Sequence, residues 1–477
     1  MQNRNYVREM LEQFSADHQN RIALELYNGK QTTQISYSGL AEKILTAAGF
    51  FRENGWCGRH IALMGSNSQD WIVAVLAIAA SGNVAVPLNP SLPKESVLSQ
   101  CFQADISVIC GDAHDISDFS EAYPCISYGM LCDGAPMQTE DIVCPDPDGW
   151  SVVMFTRGTT GESKAVAITH SNMATSLKSA DGVFAEPDNH KNMTVLPMFH
   201  IAGIRGALAM LCRFKTLCIG RGIMYLFRDM PILMPDYILM VPLMVDSLVK
   251  IMRRTSPSEL REKYIGTNLK RICVGGAAVD PENCRYLMEN GFTIDGGYAL
   301  SETTGVGTWG KWDAAHFNTI GKPSDELQCR IVDGELQFKG QAVMKGYYKA
   351  PEATSLAIQD GWLHTGDLAF CDQDGYYYLT GRKKNLIVMA NGEKLNPEEV
   401  ERQFESSSAI DECRIWYHEQ DGILCIEIYA NNKDAAQLSI ELYNERMPLS
   451  YQIRRIVFRD KPFERTASGK PLRKERG

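Results

Sequence analysis

The chain has 477 residues, of which 44% are apolar and 22% charged, and its net charge is −10. At roughly 100–200 residues per domain it holds two to four structural units. The acidic balance argues against a broad nucleic-acid or anionic-membrane surface, and the longest apolar run, Trp71–Ala80, is too short to span a bilayer.

Met1–Ser15 is polar and charged without an apolar signal core, so a soluble cytoplasmic protein with no membrane span is expected. The 14 cysteines form no C-x-x-C pair, which points away from a zinc site or a disulfide framework. In chain order, the apolar spacing predicts a helix over Ser38–Arg52 and a strand over His60–Met64. A buried helix over Ser68–Ala80 and strands over Val84–Leu88 and Ile106–Cys110 follow. Trp150–Phe155 is apolar and β-branched and reads as a buried strand; Tyr237–Val241 and Arg271–Val274 are two more. This alternation implies an α/β fold with largely parallel sheets. The methionines from Met224 to Met252 suit either an adaptable apolar tunnel or ordinary core. From about Asp325 two Asp-Gly turns, at Asp333-Gly334 and Asp374-Gly375, predict β-hairpins. After Arg382 a compact α+β unit is expected: a strand over Leu386–Met389, an Asn391-Gly392 turn, a helix opening near Pro397, and strands over Cys413–Tyr417 and Ile423–Tyr429.

The strand at Trp150–Phe155 runs into Thr156-Arg157-Gly158-Thr159-Thr160-Gly161-Glu162-Ser163-Lys164, a loop with two glycines, four hydroxyls and a lysine. Glycine lets backbone approach a phosphate closely, and amides, hydroxyls and an ammonium donate to it. The spacing is not that of the kinase-type phosphate loop, in which Gly-Lys-Ser/Thr follows the first glycine after four residues. Taken alone the segment is equally an ordinary turn.

Further segments follow in order: Leu196-Pro197-Met198-Phe199-His200, Val274-Gly275-Gly276-Ala277, Gly297-Tyr298-Ala299-Leu300-Ser301-Glu302-Thr303, Trp362-Leu363-His364-Thr365-Gly366-Asp367, Gly381-Arg382-Lys383-Lys384 and Arg465-Thr466-Ala467-Ser468-Gly469-Lys470. Together with the Thr156 loop, this ordered set, from about Tyr37 to Lys470, resembles the adenylate-forming superfamily of acyl-CoA synthetases, peptide-synthetase adenylation domains and luciferases. The resemblance implies a large N-terminal domain of α/β subdomains with a β-rich part over 1–381 and a small mobile α+β domain over 382–477, hinged near Lys384. It also implies a two-step reaction. A carboxylate attacks the α-phosphorus of ATP and expels pyrophosphate; a thiol, usually of coenzyme A, then attacks the acyl carbonyl and expels AMP.

The roles implied are these. The loop, with Thr156, Gly158, Thr159, Thr160, Gly161 and Lys164, would hold the β- and γ-phosphates, and Arg157 departs from the small residue usual there. Glu302 would bind Mg²⁺, a hard cation that takes oxygen ligands, with Ser301 and Thr303 as phosphate or water ligands. Alone, Glu302 reads as a surface glutamate. Tyr298 would stack on adenine, and Gly276 and Ala277 would line its slot. Asp367 would accept from the ribose hydroxyls and Arg382 would reach the same sugar. Lys470 would bind the α-phosphate and acyl oxygens as charge develops. Lys384 would be the pivot on which the small domain turns between half-reactions, bringing Asn391-Gly392-Glu393 to the thiol tunnel. His200 stands where amino-acid-activating members carry an aspartate; it would gate the acyl pocket, and a fatty or aryl acid is expected rather than an α-amino acid. Two other readings stay open: an adenylating enzyme that loads a carrier protein, and a silent nucleotide-binding protein.

Overall fold

The structure, a computed structural model, describes residues 6–16, 18–143, 146–157, 163–179, 191–389, 394–405, 409–418 and 420–464. The chain divides into two compact units, Met1–Gln328 with Phe338–Leu363, and Cys329–Gln337 with His364–Gly477. The second begins earlier in the sequence than the boundary expected at 382.

Two largely parallel sheets build the first unit. Among the described residues, one has seven strands, in the order Gly346–Tyr347, Ser163–Thr169, Trp150–Arg157, Val84–Pro87, His60–Met64, Ile106–Gly111 and Cys125–Ser127. The other has nine, running Lys322–Pro323, Gly307–Lys311, Thr293–Ala299, Arg271–Val274, Tyr237–Met240, Lys191–Thr194, Thr216–Ile219, Ile22–Tyr27 and Thr32–Ser36. The strands expected at His60–Met64 and Arg271–Val274 have those bounds, and the helix expected over Ser68–Ala80 spans Gln69–Ala80, capped by the Ser68 hydroxyl on the Trp71 amide. Its residues from Trp71 to Ala80 are all buried, which is why its sequence is a continuous apolar run rather than an amphipathic stripe. Trp71, Tyr37, Phe51 and Phe14 anchor the core at that end, each worth roughly 2–3 kcal/mol of burial. Met230, Met240, Met244 and Met252 lie in a second core, so the methionine-rich stretch is packing material, with Met224 left exposed.

In the second unit Asp333 and Gly334 both have positive φ and form the expected two-residue turn. The other Asp-Gly pair works differently. The Asp372 carboxylate accepts from the amides of Asp374 and Tyr376, so the strands Trp362–Cys371 and Tyr377–Arg382 are joined by a longer loop. The helix Pro397–Glu405 and the antiparallel strands Glu412–His418 and Ile423–Tyr429 are as expected. A helix at Lys433–Arg446 and a strand at Ile453–Arg459, parallel to Ile423–Tyr429, complete a core of Phe404, Ile426, Ile440 and Tyr443. Phe463 is buried at the end of this unit, with the guanidinium carbons of Arg414 and Arg459 at 4.0 and 4.2 Å from its ring centroid. Its amide donates to Glu412 at 2.7 Å. Among the described residues no helix is long and apolar enough to cross a membrane.

Candidate active site

Three of the segments singled out in the sequence leave the carboxyl ends of parallel strands in the nine-stranded sheet. Lys191–Thr194 leads to Leu196–His200, Arg271–Val274 to Gly275-Gly276-Ala277, and Thr293–Ala299 to Ser301-Glu302-Thr303. Ligands collect at this edge of an α/β sheet because strand ends expose backbone there and the loops converge. A buried ion pair, Arg271 Nη2 to Asp295 Oδ1 at 3.0 Å, ties the two strands that carry the glycine segment and Glu302. Gly276 has φ of +77°, a left-handed turn that a side chain would strain. Ala277 beside it is half-buried, Tyr298 is half-buried with its ring stacked on Phe338 at 6.1 Å, and Ser301 is half-buried.

Glu302 sits on a single turn, Ser301–Thr303, that is held from several sides. The Glu302 carbonyl accepts from the Met344 amide at 2.8 Å, and Thr304 Oγ1 donates to the Ala342 carbonyl at 2.8 Å. Asn172 Nδ2 donates to the carbonyls of Gln341 and Val343 at 2.6 and 3.0 Å, which fixes that segment in turn. Thr303 is a correction to the sequence reading. It is fully buried, and its hydroxyl accepts from the Leu300 amide and bonds the Leu300 and Val306 carbonyls. The side chain is spent in shaping the turn and is not open as a phosphate or water ligand.

The loop expected to hold phosphate joins two antiparallel neighbours in the seven-stranded sheet, with Thr156 opposite Lys164 and Arg157 opposite Ser163. It is therefore a hairpin connection, unlike the strand-to-helix phosphate loop of kinases and motor ATPases. Gly158, Thr159, Thr160 and Gly161 lie outside the described residues, as do Gly392 and Lys470. Thr156 Oγ1 lies 3.5 Å from the Lys164 carbonyl within the ladder.

One side chain that the sequence did not single out joins the two sheets' contributions. Tyr347 pairs with Val166 in the strand that starts at Ser163, its hydroxyl donates to Glu302 Oε1 at 2.9 Å, and Lys164 Nζ stands 4.9 Å above its ring. Burial, and after it the Glu302 charge, push the Tyr347 phenol well above its ordinary pKa, which keeps it a donor. Among the described residues neither Lys164 nor Glu302 has a partner of opposite charge, and Glu302 Oε2 accepts no hydrogen bond.

His200 is exposed and stands at the start of the helix Ile201–Cys212, with its ring 4.7 Å from that of Phe199. The segment before it is clamped by Asn67, whose Nδ2 donates to the Leu196 carbonyl at 2.8 Å and whose Oδ1 accepts from the Met198 amide at 2.9 Å. Beside this segment is a cavity of about 30 Å³ lined by Thr194, Leu196, Ala202, Gly206, Tyr237 and Leu239, room for about one water.

The second unit brings Asp367 and Arg382 together as a cross-strand pair, Arg382 Nε to Asp367 Oδ1 at 2.6 Å, with Asp367 buried. Gly366, at φ +70°, turns the strand just before Asp367. Glu335 organises this corner, a role with no signal in the motifs. Its Oε1 accepts from the Gly366 amide at 2.9 Å, while Oε2 meets Lys383 Nζ at 2.8 Å and His364 Nδ1 at 3.1 Å. Burial raises its pKa, but Lys383, Gly366 and His364 outweigh that and hold the carboxyl below its ordinary 4.5. Lys384 is exposed in the short turn Lys383–Asn385.

The family model described as "AMP-binding enzyme" matches residues 11–348. A 2-succinylbenzoate–CoA ligase of Bacillus cereus (strain ATCC 10987 / NRS 248) is 26% identical over 95% of each chain. Among solved structures, o-succinylbenzoate CoA synthetase (MenE) from Bacillus subtilis in complex with the acyl-adenylate intermediate OSB-AMP superposes with a TM-score of 0.83 at 23% identity, covering 98% of this chain and 97% of that one. ATP-bound MatB from Rhodopseudomonas palustris gives 0.84 at 19% identity, with 98% and 97% covered. These likenesses show the fold, and a family match that spans most of the sequence shows the kinship: the chain belongs to the AMP-binding enzymes.

Proposed function

We propose that this protein is an ATP-dependent carboxylic acid:CoA ligase that works through an acyl-adenylate. The observation that carries the reading is the pair Lys164 and Glu302, an ammonium at the start of a strand and a carboxylate on a short turn, each without a partner of opposite charge among the described residues and both braced by Tyr347. Such a pair suits a magnesium triphosphate. Mg²⁺ is usually held by one or two carboxylates plus substrate phosphates and waters, and among the described residues no group of three or more His, Cys, Asp and Glu is placed to hold a metal by itself. Glu302 Oε2 would be the protein's ligand, and the ion would neutralise phosphate charge.

In the first half-reaction Lys164 and the 158–161 loop hold the outer phosphates, Gly276, Ala277 and Tyr298 receive the base, and Asp367 and Arg382 take the ribose. The acid's carboxylate oxygen bonds to the α-phosphorus as the bond to pyrophosphate breaks, with Lys470 bearing charge on the α-phosphate and acyl oxygens. In the second, the CoA thiol loses its proton to solvent, its sulfur bonds to the acyl carbonyl carbon, and the bond from that carbon to the phosphate oxygen breaks to release AMP. A single arrangement cannot put both Lys470 and the incoming sulfur at one carbonyl, so the small domain, 382–477, rotates about Lys384 between the steps. The acid lies beside the Leu196–His200 segment, where the cavity must widen to admit a fatty or aryl group. The relatives whose names specify CoA ligation favour CoA over a carrier protein as acceptor. Among the described residues the cysteines are free thiols, seven of them buried, which suits a reducing compartment, and we place the protein in the cytoplasm.

The test is acid-dependent exchange of labelled pyrophosphate into ATP across a panel of fatty, aryl and dicarboxylic acids, followed by CoA consumption with the acids that score. Silence across the panel removes the ligase reading; exchange without thioester formation leaves adenylation and moves the acceptor to a carrier protein.

A further inference from the structure

We propose that Tyr347 is a positioning residue for magnesium-triphosphate binding: its hydroxyl aims Glu302 and its ring carries Lys164, so that the two charges stay close without pairing with each other. The inference rests on the ligase reading and adds a residue to it. Lys164 and Glu302 are of opposite sign and both half-buried, a situation in which an ion pair is the ordinary outcome. They form none. The phenol lies between their functions: the ammonium is on the ring face at 4.9 Å, within cation–π range, and the carboxylate is at the hydroxyl edge at 2.9 Å. One ring thus satisfies a cation and an anion by different parts of its charge distribution, and Oε2 stays open.

The ring itself is pinned. Tyr347 pairs in register with Val166, its amide donates to Thr354 Oγ1 at 2.9 Å, and the next residue's amide donates to the Ala165 carbonyl at 2.7 Å. Tyr348 and Lys349 then fasten the segment to Asp105 at 2.7 Å each. The Glu302 turn is fixed independently through Met344, Ala342 and Asn172. Two rigid supports therefore meet at the phenol, and removing its oxygen or its ring leaves distinct defects.

The experiment is calorimetric titration of the full chain with ATP, once with excess Mg²⁺ and once with EDTA, for wild type, Tyr347→Phe and Tyr347→Leu. Phe keeps the ring under Lys164 and frees Glu302. A hydrogen bond to a charged group is worth roughly a factor of ten or more in an equilibrium constant, so Tyr347→Phe weakens binding about tenfold with Mg²⁺ and leaves it unchanged in EDTA. Leu removes both supports and weakens binding in both arms. Thermal melts of the three proteins check that each is folded, and Phe, which preserves shape, carries the decision if Leu is not. Wild-type affinity for Mg-ATP in Tyr347→Phe, or equal weakening with and without the metal, overturns the inference while the ligase reading stands. A wild-type chain that binds no ATP overturns both.

Discussion

Replacing Glu335 by Gln isolates one charge at the corner that carries Asp367. The carboxylate is 3% exposed and bonded to the Gly366 amide, Lys383 and His364. Gln keeps the shape and can still accept from Gly366, but its amide has one acceptor oxygen and turns donors toward the remaining partners. Breaking a fully buried ion pair costs about 3–5 kcal/mol. Lys383 is 50% exposed and can turn to water, so the loss belongs nearer the value of one charged hydrogen bond, about 2 kcal/mol. The sign of the pH dependence follows from the depressed pKa. The native carboxyl titrates below its ordinary 4.5, so its contribution is fully present above that pH and is lost as pH falls through the native value. Melting temperatures of wild type and Glu335→Gln should differ by a few degrees at pH 7, differ as much at pH 5.5, and draw together as pH falls below 4.5. Equal melting at neutral pH, or a gap that persists unchanged into acid, refutes the reasoning. In kinetics the same variant should raise KM for ATP more than it lowers kcat, because it unsettles the strand that presents Asp367.

Lys470→Ala should abolish adenylate formation, by about 10²–10³ in rate, yet leave thioester formation from supplied acyl-adenylate nearly intact; equal loss in both half-reactions contradicts its assignment. Lys384→Pro should do the reverse, sparing pyrophosphate exchange and blocking CoA transfer, and rapid-quench measurement of each half-reaction decides it. Asn67→Ala removes two hydrogen bonds from the Leu196–Met198 segment, about 2 kcal/mol together. It should raise KM for the acid without altering KM for ATP, and a parallel rise in both would mean that Asn67 acts on the whole unit.

The parts of the fold that were legible in the sequence are those with a local signal. His60–Met64 and Arg271–Val274 are short apolar runs bounded by polar residues, and Gln69–Ala80 is announced by its serine cap and apolar length. The edge elements had no such signal. Thr32–Ser36 is polar and exposed over most of its length, and Lys433–Arg446 has charges around most of its surface. Lys164 and Glu302 in the first unit, and Asp367 and Arg382 in the second, are the candidates a sequence can offer, because each lies in a compact motif. Tyr347, Asn67, Asn172 and Glu335 could not be named, since their partners are far along the chain: Tyr347 meets Glu302, Asn67 holds Leu196, and Asn172 holds Gln341. Thr303 was misread for the related reason that a hydroxyl beside a ligand looks the same in sequence whether it faces the ligand or its own turn.

The clamping of Phe463 between two guanidiniums and Glu412 bears on the role proposed for Lys470. Lys470 lies seven positions after Phe463, and a chain can extend at most about 3.5 Å per residue, so the lysine can reach no further than about 25 Å from a fixed post. On the proposed assignment, one amine confined to a sphere of that radius would be present at a local concentration on the order of tens of millimolar. Small alkylamines added to Lys470→Ala should therefore restore adenylation only when they approach that range, whereas loosening the post with Phe463→Ala, which moves the last fixed point back toward the strand Ile453–Arg459, should lower the rate modestly without touching the lysine's chemistry.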